Sequence, residues 1–446
     1  MGQPNSDTRS PYSVFFGLEE DDRLRVERYQ LLRRYYAGQH KRFLRTKTAK
    51  DGTVTDDNVT INLSRRVVNK SAAFLFGQPL QWELQEGEQT PAEETLASIW
   101  RSDQWRQTFL QEAAVNGGVC GTAYFQIVPR EGDIPRIVNL DPAIVFPRCN
   151  PGDIDDVWAW ELRWREGDGV MRTVHSVQEN GNAWETWTER LHRGGQWKTE
   201  QEPEVWPWPW PMIVHNKNLP NPNEFFGLSD LEDADLNDAI NATASNVNRI
   251  TRIFAHPITW GKGFNVAEID PSQMLLTNNP EAQLGALELG RDLQSSQEFL
   301  RFLRTMFAEI TQVPENDPDR LSLGAQSGFA LRLLFGDLLD KTYTKRNLYG
   351  QSIVELNRRL LEMTGAGPDN VVKLHWADPL PVDEVSEMSA DKFDLEAGLS
   401  SVETMQRKRG YDPETEGERL SAQRTQTGTI GDALLAAFDR GAGATL

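Results

Sequence analysis

Carboxylates are the side chains in this sequence set most densely for chemistry. Asp230, Glu232, Asp233, Asp235 and Asp238 stand close together, and such clusters can hold the paired cations of a nuclease. The spacing argues otherwise, because it scatters them around a helix start. Ser229 with Glu232 three residues later makes a capping box, and Asp230 and Asp233 suit the positive end of a helix dipole. Asn316, Asp317 and Asp319 could ligate calcium, but their loop lacks the spaced ligands and closing Glu of an EF-hand. The 6 histidines, at 40, 175, 192, 215, 256 and 375, form no H-x-x-x-H or H-x-H pair for zinc. Gly261-Lys262-Gly263 has neither the upstream glycine spacing nor the Ser/Thr of a phosphate-binding loop. Cys120 and Cys149 make no disulfide framework or metal knuckle. These residues point to a protein that is not an enzyme and needs no cofactor.

Tryptophan is the other conspicuous residue. Trp158, Trp160, Leu162 and Trp164 fall on one strand face by the period of two. More follow at Trp184, Trp187, Trp197 and through W-P-W-P-W at Trp206, Trp208 and Trp210. A sugar-stacking surface is one reading; a sheet packed on helices by large aromatic side chains is the simpler one. The proline-interleaved run reads as an extended strap across that sheet.

Elements to carry these residues can be placed from periodicity and punctuation. A helix over 21–37 has Leu24, Tyr29, Leu32, Tyr35 and Tyr36 near helical period and stops at Gly38. Ser64 is placed to cap a second helix, ended by Gly77 and Pro79. A third is predicted over 92–115. From about 119 to 214 the pattern is mostly β, with hairpin dipeptides at Asn180-Gly181 and Gly194-Gly195. The next helix, from the capping box at Ser229, carries Leu236, Ile240, Val247, Ile250 and Phe254 as a narrow apolar seam on a polar cylinder. After an irregular stretch, Ser295 and Glu298 cap another helix with Phe299, Leu300, Leu303, Met306, Phe307 and Ile310 on one side. A polar loop over 314–328 precedes a long helix from Phe329 to Thr364, with Gly336 and Gly350 as kink or close-packing points. A strand over 371–376 and short charged helical patterns complete the chain.

With 446 residues, the chain is too long for one simple core. Its net charge of −19 opposes non-specific binding to nucleic acid. No apolar run reaches the length of a membrane helix, and the N-terminus lacks the order of a signal peptide. The mean hydropathy of −0.56 suits a polar surface.

Four motifs stand in order: Y-Y-A-G-Q-H (Tyr35 to His40), the segment Val59 to Leu80 with V-N-K-S-A-A-F-L-F-G-Q-P, the segment Asn216 to Asn241 with F-G-L-S-D-L-E, and S-G-F-A-L (Ser327 to Leu331). In that order they resemble the portal proteins of tailed double-stranded-DNA bacteriophages, of the siphophage type. Portals are rings at one capsid vertex.

The resemblance implies an α+β portal fold. Residues 1–20 would be an N-terminal arm, and 21–225 with the strand 371–376 an α/β wing. The stem would comprise 226–255 and 294–313, with a clip over 256–293 between them. Residues 314–328 would be the tunnel loop, 329–365 a long kinked wing helix, and 377–446 a helical crown and tail. Stem packing would fall to Leu236, Ile240, Val247, Ile250, Phe299, Leu303, Met306 and Ile310. Asn316, Asp317, Asp319, Arg320, Leu321, Ser322 and Gln326 would face DNA, Arg320 guiding it. Trp260, Lys262 and Phe264 would dock partners at the clip.

The family further implies a homo-oligomeric ring, commonly a dodecamer, with double-stranded DNA passing along its axis during packaging and ejection. Terminase, major capsid and scaffold proteins and a head–tail adaptor are the implied partners, with no membrane. The place is the virion, after assembly in the host bacterial cytoplasm. A metal-dependent DNA-processing enzyme and a carbohydrate-binding virion protein are the alternatives from other classes.

Overall fold

Glycine stops and turn chemistry set the order of elements in the computed structural model, which mixes helices with antiparallel sheets. It describes residues 17–40, 44–48, 51–52, 54–84, 91–101, 106–130, 134–178, 181, 183–192, 195–255, 259–263, 279–286, 293–315, 328–366, 372–380, 391–408, 416–417 and 419. The chain divides into two compact units, Met1–Ala325 with Phe329–Leu380, and Gln326–Gly328 with Pro381–Leu446.

The first unit begins with α1 (Glu20–Ala37), closed by Gly38 at φ +79. Its buried side carries Val26, Tyr29, Leu32 and Tyr35, while Leu24 faces solvent, contrary to the sequence reading. A short hairpin of β1 (Lys47–Thr48) and β2 (Val54–Thr55) precedes α2 (Leu63–Phe76). The cap of α2 is Asn62, whose side chain accepts from the Arg65 amide, and not Ser64, which is buried inside the first turn. The strand β3 (Gln81–Leu84), which the sequence reading missed, pairs antiparallel with β14 (Val372–His375).

The helix expected over 92–115 is two helices, α3 (Pro91–Arg101) and α4 (Arg106–Cys120). The second continues through Gly117 and Gly118, where strand chemistry was expected. The sheet then starts with β4 (Thr122–Val128) and β5 (Arg136–Leu140), followed by β6 (Val145–Asn150), β7 (Asp153–Glu166), β8 (Gly169–Val177), β9 (Trp184–Leu191), β10 (Trp197–Trp206) and β11 (Ile213–Lys217). Strands β6 to β10 form a five-stranded meander, and β11, β4 and β5 form a three-stranded sheet. Both predicted hairpin turns form, with the amides of Gly181 and Gly195 bonded to Gln178 O and His192 O.

Aromatic packing of sheet on helix wins over a stacking platform. Trp160, Trp184, Trp206 and Trp210 lie in one buried cluster with Phe125, Ile127, Tyr349, Leu356 and Leu360. Trp158 is exposed, so the one-face expectation fails at its first position. The opposite face of β7 is covered as well. There Glu161 gathers Arg148, Arg163 and Arg172, and Arg148 reaches Asp22 of α1 at 2.6 Å. The W-P-W-P-W strap joins sheet to helix: Trp206 meets His175 of β8 edge-on, and Trp210 Nε1 donates to Glu362 at 2.8 Å.

Helix α5 (Asp235–Ala255) and α6 (Leu293–Thr311) pack against each other, and between them β12 (Thr259–Lys262) pairs with β13 (Gln283–Ala286). Helix α6 starts two residues ahead of the expected Ser295 cap. The long helix breaks at Phe335 into α7 (Gly328–Leu334) and α8 (Gly336–Thr364). Gly350 does not kink it; the helix runs through under Leu374 and Trp376. The second unit contains helical residues 391–396, a turn at Gly398 with φ +70, and α9 (Val402–Lys408) started by Ser401, whose hydroxyl accepts from the Thr404 amide.

Candidate functional site

The first three of the motifs quoted above converge on one joint. At the end of α1, Tyr35 donates to Asp238 Oδ2 of α5 at 2.5 Å and Tyr36 donates to Asn69 Oδ1 of α2 at 2.9 Å. Asn62 Nδ2 and Arg65 Nε return bonds to the Tyr36 carbonyl at 3.0 and 3.3 Å. Gly38 is left-handed here, and a Cβ on it would sit 2.9 Å from Asn62 Nδ2, so the close approach requires glycine. His40, 1% exposed, lies with Nδ1 3.6 Å from Asp238 Oδ1. Burial raises the Asp238 carboxyl above its ordinary value, against the opposing pull of Tyr35 and His40.

The capping box forms as predicted but one step ahead of regular helix. The Ser229 amide donates to Glu232 Oε1 at 3.0 Å and Ser229 Oγ accepts from the Leu231 amide at 3.0 Å. The chain then turns with i→i+3 bonds at Ala234, Leu236 and Asn237 as α5 begins. Asp230 explains the delay. Its amide donates to Gly118 O at 2.8 Å, and its carboxylate, 0% exposed, meets Lys345 Nζ at 2.6 Å and Lys341 Nζ at 3.2 Å. A side chain on Gly118 would press that carboxylate, at 2.9 Å from Oδ2. Burial alone would raise Asp230, but the two ammoniums outweigh it and hold the carboxyl below the usual range. Burial pulls Lys345 down to about 8 against the raising effect of Asp230.

The acidic cluster therefore disperses. Asp230 turns inward to two lysines, Glu232 pairs with Arg28, and Asp238 takes Tyr35. Among the described residues no group of three or more His, Cys, Asp or Glu is placed to hold a metal ion. In this geometry these carboxylates join helices to one another.

Helix α5 holds a feature that sequence reasoning missed. Its Asn and Ser residues were read as a wet face, yet Asn237, Asn241 and Ser245 are fully buried. Asn237 Oδ1 accepts from the amides of Leu63 and Ser64 at 3.0 and 3.1 Å, and its Nδ2 donates to Ile61 O at 2.9 Å. Asn241 Oδ1 accepts from the Ile61 amide at 2.8 Å, and Ser245 Oγ from the Val59 amide at 3.0 Å. Asn248 Nδ2 donates to Asp57 O at 3.1 Å, and Arg249 pairs with the Asp57 carboxylate at 3.0 Å. Side chains four apart on a helix thus serve alternate residues of the segment before α2. The signal was the i, i+4 spacing of small amide and hydroxyl side chains.

The predicted site residues fall in three groups. Asn316, Asp317, Asp319, Arg320, Leu321, Ser322 and Gln326 lie outside the described residues, as does Phe264. Trp260 and Lys262 lie on β12, opposite Gly285 and Gln283. Of the seam residues, Leu236, Ile240 and Leu303 pack into the subunit's own cluster with Leu63, Phe307 and Leu338. Val247, Ile250 and Met306 are half-buried. Phe299 and Ile310 are 52% and 53% exposed, and Phe302, which the sequence reading omitted, is 54% exposed and stacks on Phe299.

The family model "Phage portal protein, SPP1 Gp6-like" matches residues 18–428. Among solved structures, a chain of the virion of a native gene transfer agent (GTA) particle is similar, with 13% identity and a TM-score of 0.42, over 89% of this chain and 95% of that one. Among curated proteins none matches.

Proposed function

This chain belongs to the SPP1 Gp6-like family of phage portal proteins, and on that premise we propose that it forms a closed ring at one capsid vertex, a dodecamer by analogy with the family. Double-stranded DNA passes through the ring during packaging and ejection, and terminase and a head–tail adaptor dock on it. Helices α5 and α6 act as the stem, the hairpin of β12 and β13 belongs to the clip, and 314–328 is the tunnel loop. The second unit supplies the crown. No ATP hydrolysis is assigned to the ring; the terminase brings it.

One observation carries this reading: the family match runs through nearly the whole chain and includes every motif that meets at the joint. The geometry of α6 is consistent with it. Phe299, Phe302 and Ile310 leave an outward apolar stripe that stands exposed among the described residues, and a heterologous contact repeated around an axis would cover it in every copy. Among the described residues no helix is long and apolar enough to cross a membrane.

Native mass spectrometry tests the proposal. A single large multiple of 50.6 kDa is the expected result. A monodisperse monomer at micromolar concentration and physiological salt would sink it. Duplex DNA should bind weakly at equilibrium, because a net charge of −19 per subunit repels phosphate at short range. Tight binding with a steep negative salt dependence would instead mean a DNA-gripping protein.

A further inference from the structure

We infer that Lys341 is a positioning residue that ties the exit of α6 to the Ser229–Ala234 turn through one buried ammonium. Its Nζ lies 3.2 Å from Asp230 Oδ1 and donates to Thr311 O at 3.0 Å. Thr311 is the last residue of α6, where carbonyls have lost their intrahelical partners and a cation is favoured. The next residue, Gln312, takes a left-handed φ of +58, and Val313 is buried behind it. Arg66 Nη2 then donates to Pro314 O at 2.8 Å, and Arg304 pairs with Glu315.

The chain leaving α6 is therefore gripped from α2, α6 and α8. Among the described residues, of these grips only the one from α8 also holds the turn that starts α5. Lys345, one turn further along α8, reaches the same carboxylate but no atom of the α6 exit among the described residues. The two lysines thus separate the functions. Both neutralise Asp230, and Lys341 alone carries a displacement of residues 311–315 into the joint. What that means for residues 316–327 rests on reading them as the channel-facing loop; the coupling itself does not.

Hydrogen exchange on the purified full chain tests this, comparing Lys341→Met, Lys341→Arg and Lys345→Met. Lys341→Met should speed exchange about tenfold at residues 311–315 and also loosen 229–234. Lys345→Met should loosen 229–234 while leaving 311–315 within about twofold of wild type, and Lys341→Arg should restore both segments. Equal acceleration at 311–315 in the two methionine variants, or none in Lys341→Met, overturns the inference. If Lys341→Met does not fold, wild-type exchange in rising urea decides it. One shared urea dependence for the two segments is expected, and two different ones would overturn the coupling. None of these readouts needs DNA or a ring, so failure here is separable from failure of the portal reading.

Discussion

Helices α5 and α6 lie side by side and invert the usual rule in opposite directions. On α5 the amide and hydroxyl side chains of Asn237, Asn241 and Ser245 are inside, whereas on α6 the rings of Phe299 and Phe302 are outside. Each of these three side chains makes a specific hydrogen bond to backbone in residues 59–64, so burial there encodes position. The exposed rings of the second meet no partner surface among the described residues, and on the proposed ring reading their exposure marks a contact made elsewhere. A polar residue inside and an apolar residue outside carry the same kind of information: each names a neighbour.

Substitutions should separate these two meanings, here ordered by their effect on the subunit itself. Asp230→Ala leaves two ammoniums buried without a counter-ion and should cost about 3–5 kcal/mol, read from urea denaturation by far-UV circular dichroism. A loss no greater than that of a surface substitution would show that the lysines find other partners. Asn237→Ala strands the amides of Leu63 and Ser64 and should cost about 2–3 kcal/mol. Asn237→Asp keeps the accepting oxygen, and below about pH 4, where its carboxyl is protonated and can donate to Ile61 O, it should cost less than Asn237→Ala. Equal losses for both would put the value of this rung in packing.

The buried side should also respond to pH where the apolar stripe does not. Lys345 has a folded pKa lowered to about 8 from 10.5. Between those values the unfolded chain binds more protons than the folded one, so this residue's contribution to stability rises with pH. The urea midpoint of wild type relative to Lys345→Met should therefore increase from pH 8 to 10, and a constant difference would contradict the assignment. The smallest effect on the subunit belongs to Phe299→Ser, Phe302→Ser and Ile310→Ser combined. Surface changes of this kind stay within about 0.5 kcal/mol each, yet native mass should move from ring to monomer. Retained rings would break the comparison at its second half.

How far the sequence could be read follows the same division. Helix α1 with its Gly38 stop, the two hairpins and the break beside Gly336 were legible because glycine chemistry is local. The cap of α2 was misplaced because Asn62 and Ser64 are both good capping residues, and only the partner Asn237 decides that Ser64 goes inward. Strand β3 was missed because Q-W-E-L is too short to show a period and is fixed by pairing with a segment almost three hundred residues on. In the acidic cluster, the capping roles were legible from spacing, but no local pattern could assign Asp230 to lysines more than a hundred residues away. The buried rungs of α5 read as a solvated face because periodicity reports polarity and not the partner that satisfies it.

Those rungs also form a vernier. Four helical residues advance about 6 Å, while two extended residues advance about 6.6 Å. Each rung from Leu63 toward Asp57 therefore falls slightly further behind the one before. The lag is small enough for a short amide at Asn237 and Asn241, and a hydroxyl at Ser245 still meets it. By Asp57 the offset has grown to about 2 Å, and the contact passes to Asn248 together with the long reach of Arg249. The two scales thus coincide at only one setting. A single-residue insertion between Ile61 and Leu63 would put the graduations beyond it out of phase, whereas a two-residue insertion there would offer most of them a second, less exact match one rung along.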